Sequence, residues 1–237
     1  MSHHYLRFDQ VHFRYPGGYE ALHAVSFTLR HGEKVALLGN NGAGKSTLLL
    51  HCNGLLMPTQ GQVDVGGVPV SKRTLPLVRR SVGLLFQNPD DQLFMPTVEE
   101  DVAFGPRNMG LPPEEVERRV AEALAAVGMT ELRQRAPFRL SGGQKRCVAL
   151  ATVLSMGPDV LVMDEPTSNL DLRARRRVVE LVQSFSHTCL IATHDLDLAR
   201  QLCPRTLLLS GGPLCADGPT ASVLADKALL RQADFLL

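Results

Sequence analysis

The chain has 237 residues, 44% hydrophobic and 21% charged, an ordinary globular balance with length for one large core or two small ones. Its 25 Lys and Arg against 24 Asp and Glu give a formal charge of +1 at pH 7, which removes any bulk-charge argument for nucleic acid or anionic lipid. No apolar run approaches the roughly 20 residues that span a bilayer, so a membrane role has to come through a partner.

The N-terminal "MSHHYLRFDQ" has no apolar core of a signal peptide, so none is expected, and His3 and His4 read as a solvated terminus. "YLRFDQVHFRY" and "AVSFTL" roughly alternate in polarity and suggest antiparallel strands beside a main sheet. Short runs apolar on both faces then recur at Lys34–Gly39, Ser81–Phe86, Asp159–Asp164, Thr188–Thr193 and Thr206–Ser210. Lying between helical patterns, they predict buried strands of a parallel α/β sheet. Pro112, Pro113, Glu114 and Glu115 open a helix with Val116, Val120, Ala123, Leu124 and Val127 on one face, and Gly128 closes it. This helical insertion extends to "LSGGQKRCVAL" (Leu140–Leu150), where Cys147, Leu150, Ala151 and Leu154 predict the buried face. After "RARRR" (Arg173–Arg177), Val178, Leu181, Val182 and Phe185 do the same for another helix, and the tail from Pro213 is turn-rich and then weakly helical. The five cysteines, Cys52, Cys147, Cys189, Cys203 and Cys215, have no CxxC or Cys/His ligand spacing and are expected as reduced thiols.

The chemistry starts at "GNNGAGKST" (Gly39–Thr47), which follows a strand, precedes a helix and satisfies G-x-x-x-x-G-K-[ST]. The glycines let backbone N–H groups face phosphate oxygens, Lys45 reaches the β and γ phosphates, and the Ser46 hydroxyl reaches Mg²⁺. Asn40, Asn41, Gly42, Ala43, Gly44, Lys45, Ser46 and Thr47 are thus the expected nucleotide contacts, with ATP and Mg²⁺ as ligands. "VLVMDEP" ends a strand in two carboxylates that alternate in direction. Asp164 suits the Mg²⁺ shell, and Glu165 suits positioning or deprotonating a water for attack on the γ phosphate. His194, at the next strand end, is placed as a γ-phosphate sensor, and Gln87, after "VGLLF", as a reporter on Mg²⁺ or water. A second anion-ready helix start follows at Ser141, an N-cap candidate before Gly142, Gly143 and Gln144.

In their order along the chain, "GNNGAGKST", Gln87, "LSGGQ", "VLVMDEP", "SNLD" and "THD" resemble the ATP-binding cassette ATPases. The resemblance implies an α/β fold: a P-loop NTPase core with a parallel sheet, an N-terminal antiparallel β layer, and a helical insertion carrying the signature motif. It implies one cassette over 1–237, with core and β parts at about 1–86 and 156–237 and a helical part at about 88–155. In that family the loop matching Ser141, Gly142, Gly143 and Gln144 contacts ATP bound to another subunit, which implies a second cassette in a homodimer or heterodimer. Tyr15 resembles the aromatic that stacks on adenine, with Phe13 and Tyr19 as alternatives, and Asp171 resembles an aspartate that communicates between sites. Asn169 departs from the small residue often found there. Further, "FQNPDDQLF" (Phe86–Phe94) and "TVEEDVAFGPRNMGLP" (Thr97–Pro112) resemble the ATPases of energy-coupling-factor importers, including cobalt and nickel uptake systems. That implies a transmembrane coupling subunit, a substrate-binding membrane subunit and a place on the cytoplasmic face of the cell membrane. Cobalt or nickel is the first expected cargo, with biotin and other vitamins next. A soluble cassette acting on nucleic acid through Arg173–Arg177 is the rival, and the even charge balance speaks against it.

Overall fold

A computed structural model describes residues 5–233 and 235, so His3 and His4 lie outside the described residues. In chain order the elements are β1 (Leu6–Arg14), β2 (Glu20–Leu29), β3 (Lys34–Leu38), α1 (Lys45–Cys52), β4 (Gln60–Val65), β5 (Val68–Pro69), α2 (Leu75–Ser81) and β6 (Val82–Leu85). They continue as α3 (Val98–Asn108), α4 (Pro113–Val127), α5 (Gly142–Leu154), β7 (Val160–Asp164), α6 (Leu172–Ser184), β8 (Thr188–Ala192) and α7 (Leu196–Leu202). The last are β9 (Arg205–Leu209), β10 (Leu214–Pro219), α8 (Thr220–Ala225) and α9 (Lys227–Gln232). Two compact units divide these residues: one takes the described residues up to 84, 159–165 and from 186 onward, the other 85–158 and 166–185.

The first unit holds two sheets. The alternating N-terminal stretch forms the antiparallel layer, in the order β2-β1-β4-β5. Its apolar side chains go inward, with Phe8 opposite Phe27 and their rings stacked at 4.7 Å. The continuously apolar runs become a six-stranded sheet in the order β10-β9-β3-β8-β7-β6. β3 is parallel to β8 and β9, and β7 is parallel to β8; all four are buried nearly end to end. β10 is the part of this sheet that apolar runs do not signal. It pairs antiparallel with β9 as an edge strand, half-covered on alternate residues, so its sequence looks like a loop. Arg205 pins it there through a two-pronged ion pair with Asp217 at 2.6 and 2.7 Å.

The second unit is helical. Thr97 caps α3 by accepting from Glu100 N, and Glu99, Glu100 and Asp101 place negative charge in the first turn. α4 buries Val116, Val120, Ala123, Leu124 and Val127, the expected face, and ends at Gly128 in the left-handed region. Two expected seams shift. α5 is buried nearly all round from Arg146 to Ala151, with Leu154 only half-buried, because α3, α4 and α6 all pack on it. α6 buries Val178, Val179 and Val182, leaving Leu181 and Phe185 half-buried. The arginine run, Arg173–Arg177, falls within the first turns of α6 and is partly engaged in the fold. Arg177 donates to Val127 O at the end of α4, and Arg176 pairs with Glu180 one turn on. All five cysteines are free thiols. Four are buried, and burial pushes Cys189 and Cys203 up to about 12.

Candidate active site

In the first unit, β3 delivers the chain into a loop that ends in α1. Gly44, the N-cap, has φ +104, and a Cβ there would lie 2.5 Å from Ala21 O, so only glycine fits. Gly42 has φ +81 and open space where a side chain would be, which lets a ligand approach the backbone. The Lys45 ammonium is folded into this cradle. It donates to Gly39 O at 2.6 Å and Asn40 O at 2.9 Å, and burial pulls its pKa down against the raising charges of Glu165 and Asp164. Asn41 and Gly42 are exposed, Asn40 is half-buried, and Ala43 is buried with its N–H on Asn40 O at 3.1 Å.

Two tyrosines flank the loop. Tyr15 shares a hydrogen bond with Thr47 Oγ1 at 3.0 Å, and Tyr19 donates to Gly42 O at 3.2 Å. Their rings are stacked, with centroids 6.5 Å apart. Phe13 is buried and meets Tyr15 edge-on at 4.8 Å, so it supports the platform from within the core and offers no face to a base.

Asp164 closes β7 and Glu165 follows outside the strand, so the two carboxylates diverge through the left-handed turn at Glu165 and not through strand alternation. Asp164 Oδ2 accepts from the Ser46 hydroxyl at 2.6 Å, joining the β7 end to the start of α1. Glu165 turns the other way at φ +50, a conformation costing a non-glycine residue about 1–2 kcal/mol. Its N–H bonds Ala192 O at 2.9 Å, and its carboxylate accepts from Thr193 Oγ1 at 3.1 Å, His194 N at 2.9 Å and His194 Nδ1 at 2.7 Å. These partners lie at the end of the neighbouring strand β8, and β7–β8 pairing brings them together. The His194 side chain is otherwise 70% exposed.

In the second unit, Gln87 is exposed on the segment after β6. Sequence reading missed the residue that holds this segment: Arg146, buried in α5, donates to Phe86 O at 2.8 Å, to Gln87 O and to Ser168 Oγ at 3.1 Å. Next to Lys145 in "GGQKR" it has no local signal separating it from a solvated arginine. Thr193 was missed likewise, being simply the last residue of an apolar run. At the start of α5, Ser141 is the N-cap of a complete capping box. Its Oγ accepts from Gln144 N at 3.3 Å, and Gln144 Oε1 accepts from Ser141 N at 3.0 Å. Ser141, Gly143 and Gln144 line an open pocket of about 290 Å³ together with Asp171, Arg173 and Arg177. Asp171 caps α6 through Ala174 N at 2.8 Å. Asn169 sits at φ +59, where asparagine is tolerated better than most residues, which explains its place in "SNLD".

A family model described as ABC transporter matches residues 22–168. The chain is 47% identical to the energy-coupling factor transporter ATP-binding protein EcfA of Methanocaldococcus jannaschii, over 96% of this chain and 83% of that one. Among solved structures, cbiO1 from Clostridium perfringens, part of the ABC transporter complex cbiONQ, superposes with a TM-score of 0.82 at 36% identity, covering 98% and 95% of the two chains. A dimeric ATP-binding cassette in a post-hydrolysis state with ADP and Pi gives 0.84 at 27% identity, covering 91% and 98%. With its P-loop, paired carboxylates and capped second helix start in place, the chain belongs to the ABC transporter family and is an ATP-hydrolysing transporter subunit of the energy-coupling-factor kind.

Proposed function

We propose that this cassette drives a cobalt or nickel importer as one half of a head-to-tail dimer. Each ATP then lies between the Gly39–Thr47 loop of one cassette and the Ser141–Gln144 loop of the other. The observation that carries the dimer is the start of α5: a capped helix terminus with Gly142 exposed and nothing within 4 Å of a Cβ built there. Such a terminus favours an anion, and its own unit contains no nucleotide loop.

Within this reading, Tyr15 stacks on adenine and the residues from Asn40 to Thr47 hold the phosphates. Incoming phosphate oxygens draw Lys45 Nζ from the carbonyls of Gly39 and Asn40. The Ser46 hydroxyl and the Asp164 carboxylate are hard oxygen donors already 2.6 Å apart, a donor set that fits Mg²⁺, and the resemblance adds Gln87. When bound, Mg²⁺ neutralises charge on the phosphates. Glu165 takes the proton of the attacking water, with Thr193 and His194 fixing the direction of its carboxylate. His194 donates to the γ phosphate.

An apolar surface supports a membrane partner. Phe94 and Phe104 are 63% and 40% exposed, pack edge-to-face at 4.9 Å and stand beside the buried Asp101. Aromatic anchors of this kind suit a protein interface. Among the described residues no helix is long and apolar enough to cross a membrane. Expressing the chain with candidate membrane subunits, pulling it down and measuring ATP-dependent uptake of cobalt and nickel tests the reading. Uptake of a vitamin instead would overturn the cargo. Nucleic-acid-stimulated hydrolysis with no membrane partner would overturn the transport reading.

A further inference from the structure

The hairpin that carries Tyr15 and Tyr19 also carries a group of side chains that nucleotide binding does not use. β1 runs out to Arg14, the chain turns through Tyr15–Tyr19, and β2 returns from Glu20. Tyr15 N closes this turn on Tyr19 O at 2.8 Å. At its base, His12, Glu20 and His23 bring one ligand atom each to within 4.8 Å of one another. We propose that His12, Glu20 and His23 bind a divalent first-row transition metal of the imidazole-preferring class, namely zinc, nickel or cobalt.

The spacing supports coordination over simple hydrogen bonding. Glu20 Oε1 is 3.4 Å from His12 Nδ1 and 3.3 Å from His23 Nδ1, longer than a well-formed N–H···O bond. With metal–nitrogen and metal–oxygen bonds of about 2.0–2.1 Å, two ligand atoms at tetrahedral angles stand about 3.3–3.4 Å apart. The two distances therefore already match edges of a tetrahedron around a metal.

The surroundings favour the same role. Arg14 takes the other carboxylate oxygen, Oε2, at 2.8 Å, which orients the carboxylate and leaves Oε1 for the ion. Arg14 also holds the Glu20 carboxyl below its ordinary pKa, so the ligand is an anion at neutral pH. The backbone of His23 is fixed by its N–H on Gly212 O at 3.2 Å. The side chains of His12 and His23 are 30% and 46% exposed, open enough for an ion to enter and for water to complete the shell. Two imidazoles and one carboxylate prefer zinc, nickel or cobalt over Mg²⁺, so the site is chemically distinct from the Ser46–Asp164 pair. A bound ion ties β1 to β2 at the base of the turn that carries the two tyrosines, and this inference stands whatever cargo the importer carries.

The test uses the full chain with His3 and His4 both changed to Ala, so that the terminus cannot supply ligands. Co²⁺ is the probe, because its visible absorption reports coordination number. One equivalent should give the intense spectrum of a four-coordinate ion, displaced by Zn²⁺ and untouched by Mg²⁺. His12→Ala and His23→Ala should each weaken Co²⁺ binding at least about tenfold, as should Glu20→Gln. Zn²⁺ at about 100 times its Kd should raise Tm by roughly 5 °C or more in the parent and by less than half of that in His23→Ala. His23 is partly exposed, and its replacement should leave the metal-free Tm unchanged, which separates ligand loss from misfolding. Binding that disappears with His3 and His4 alone, or that survives unchanged in both His12→Ala and His23→Ala, would overturn the proposal.

Discussion

Replacing Glu165 by Gln isolates the proposed chemical step from the fold that presents it. The parent carboxylate is buried and accepts from Thr193 Oγ1, His194 N and His194 Nδ1. A glutamine keeps the shape. Its oxygen can retain the two His194 contacts, and its NH₂ group can donate to Thr193 Oγ1, whose hydroxyl rotates to accept. Stability should therefore change by no more than about 1 kcal/mol, a Tm shift of roughly 2–4 °C. What is lost is basicity. General-base catalysis contributes about 10²–10⁴ in rate, and at about 1.36 kcal/mol per decade its removal raises the barrier by roughly 2.7–5.4 kcal/mol. The assay is phosphate release at saturating ATP and Mg²⁺, with nucleotide affinity and molecular mass in solution measured on the same sample. The expected result is turnover at least about a hundredfold down, unchanged ATP affinity and an ATP-dependent dimer that persists. Turnover within about threefold of the parent, with ATP still bound, would remove Glu165 from the chemistry.

Three further outcomes probe other layers of the structure. In Gly143→Glu, the new Cβ would meet Leu170 Cδ2 at 3.6 Å and Asn169 O at 3.8 Å, ordinary contacts, so the fold should tolerate it. Nucleotide binding by the monomer should stay within about threefold while cooperative hydrolysis falls at least about a hundredfold, since an acid replaces the space for a partner's phosphate. Arg146→Ala removes the donor to the carbonyls of Phe86 and Gln87 and to Ser168 Oγ, and urea unfolding should show a loss of about 2–4 kcal/mol. Asp101 accepts from Phe94 N and Met95 N through Oδ1, each at 3.0 Å, while buried Oδ2 has no partner, and burial raises its pKa above the ordinary 3.8. The fold thus favours the protonated acid: its contribution is fully present below the ordinary value and is lost as pH rises through the higher folded value. Asp101→Asn keeps the Oδ1 acceptor without the charge. Urea unfolding should therefore find it as stable as the parent or more stable by up to about 1 kcal/mol at pH 7, the gap closing as pH falls toward about 4.

The parts legible in the sequence are those whose physical requirement is local. A phosphate loop needs glycines at fixed offsets between strand and helix, so Gly42, Gly44, Lys45 and Ser46 stand out before any fold is known. The strands β3, β7, β8 and β9 are buried on both faces, and continuous apolarity is the mark of that. The less legible parts depend on what a residue meets from elsewhere. β10 alternates weakly because it lies at an edge, and its place is fixed by Arg205 reaching across to Asp217. Arg146 belongs to a run of polar residues, yet α5 is packed against three other helices, and its single arginine therefore serves as an internal tie. Thr193 becomes important only because β7 and β8 are neighbours.

The start of α5 shows how the two kinds of information combine. From the sequence, Ser141, Gly142, Gly143 and Gln144 could all face an incoming anion. In the structure the capping box occupies the Gln144 carbonyl oxygen and one lone pair of Ser141. The donors left for a phosphate are the Ser141 hydroxyl, the N–H groups of the glycine pair, which have no intrahelical acceptor in the first turn, and the Gln144 NH₂ group, since the capping box uses only Oε1. Recognition here therefore combines backbone N–H groups, the cap hydroxyl and the Gln144 amide nitrogen. Gln144 thus has two roles, holding the terminus through Oε1 and offering its NH₂ group outward, and Gly142 and Gly143 act by leaving the terminus bare. For that reason an acid at Gly143 discriminates the dimer reading, where a change at Gln144 would confound loss of a contact with fraying of the helix that presents it.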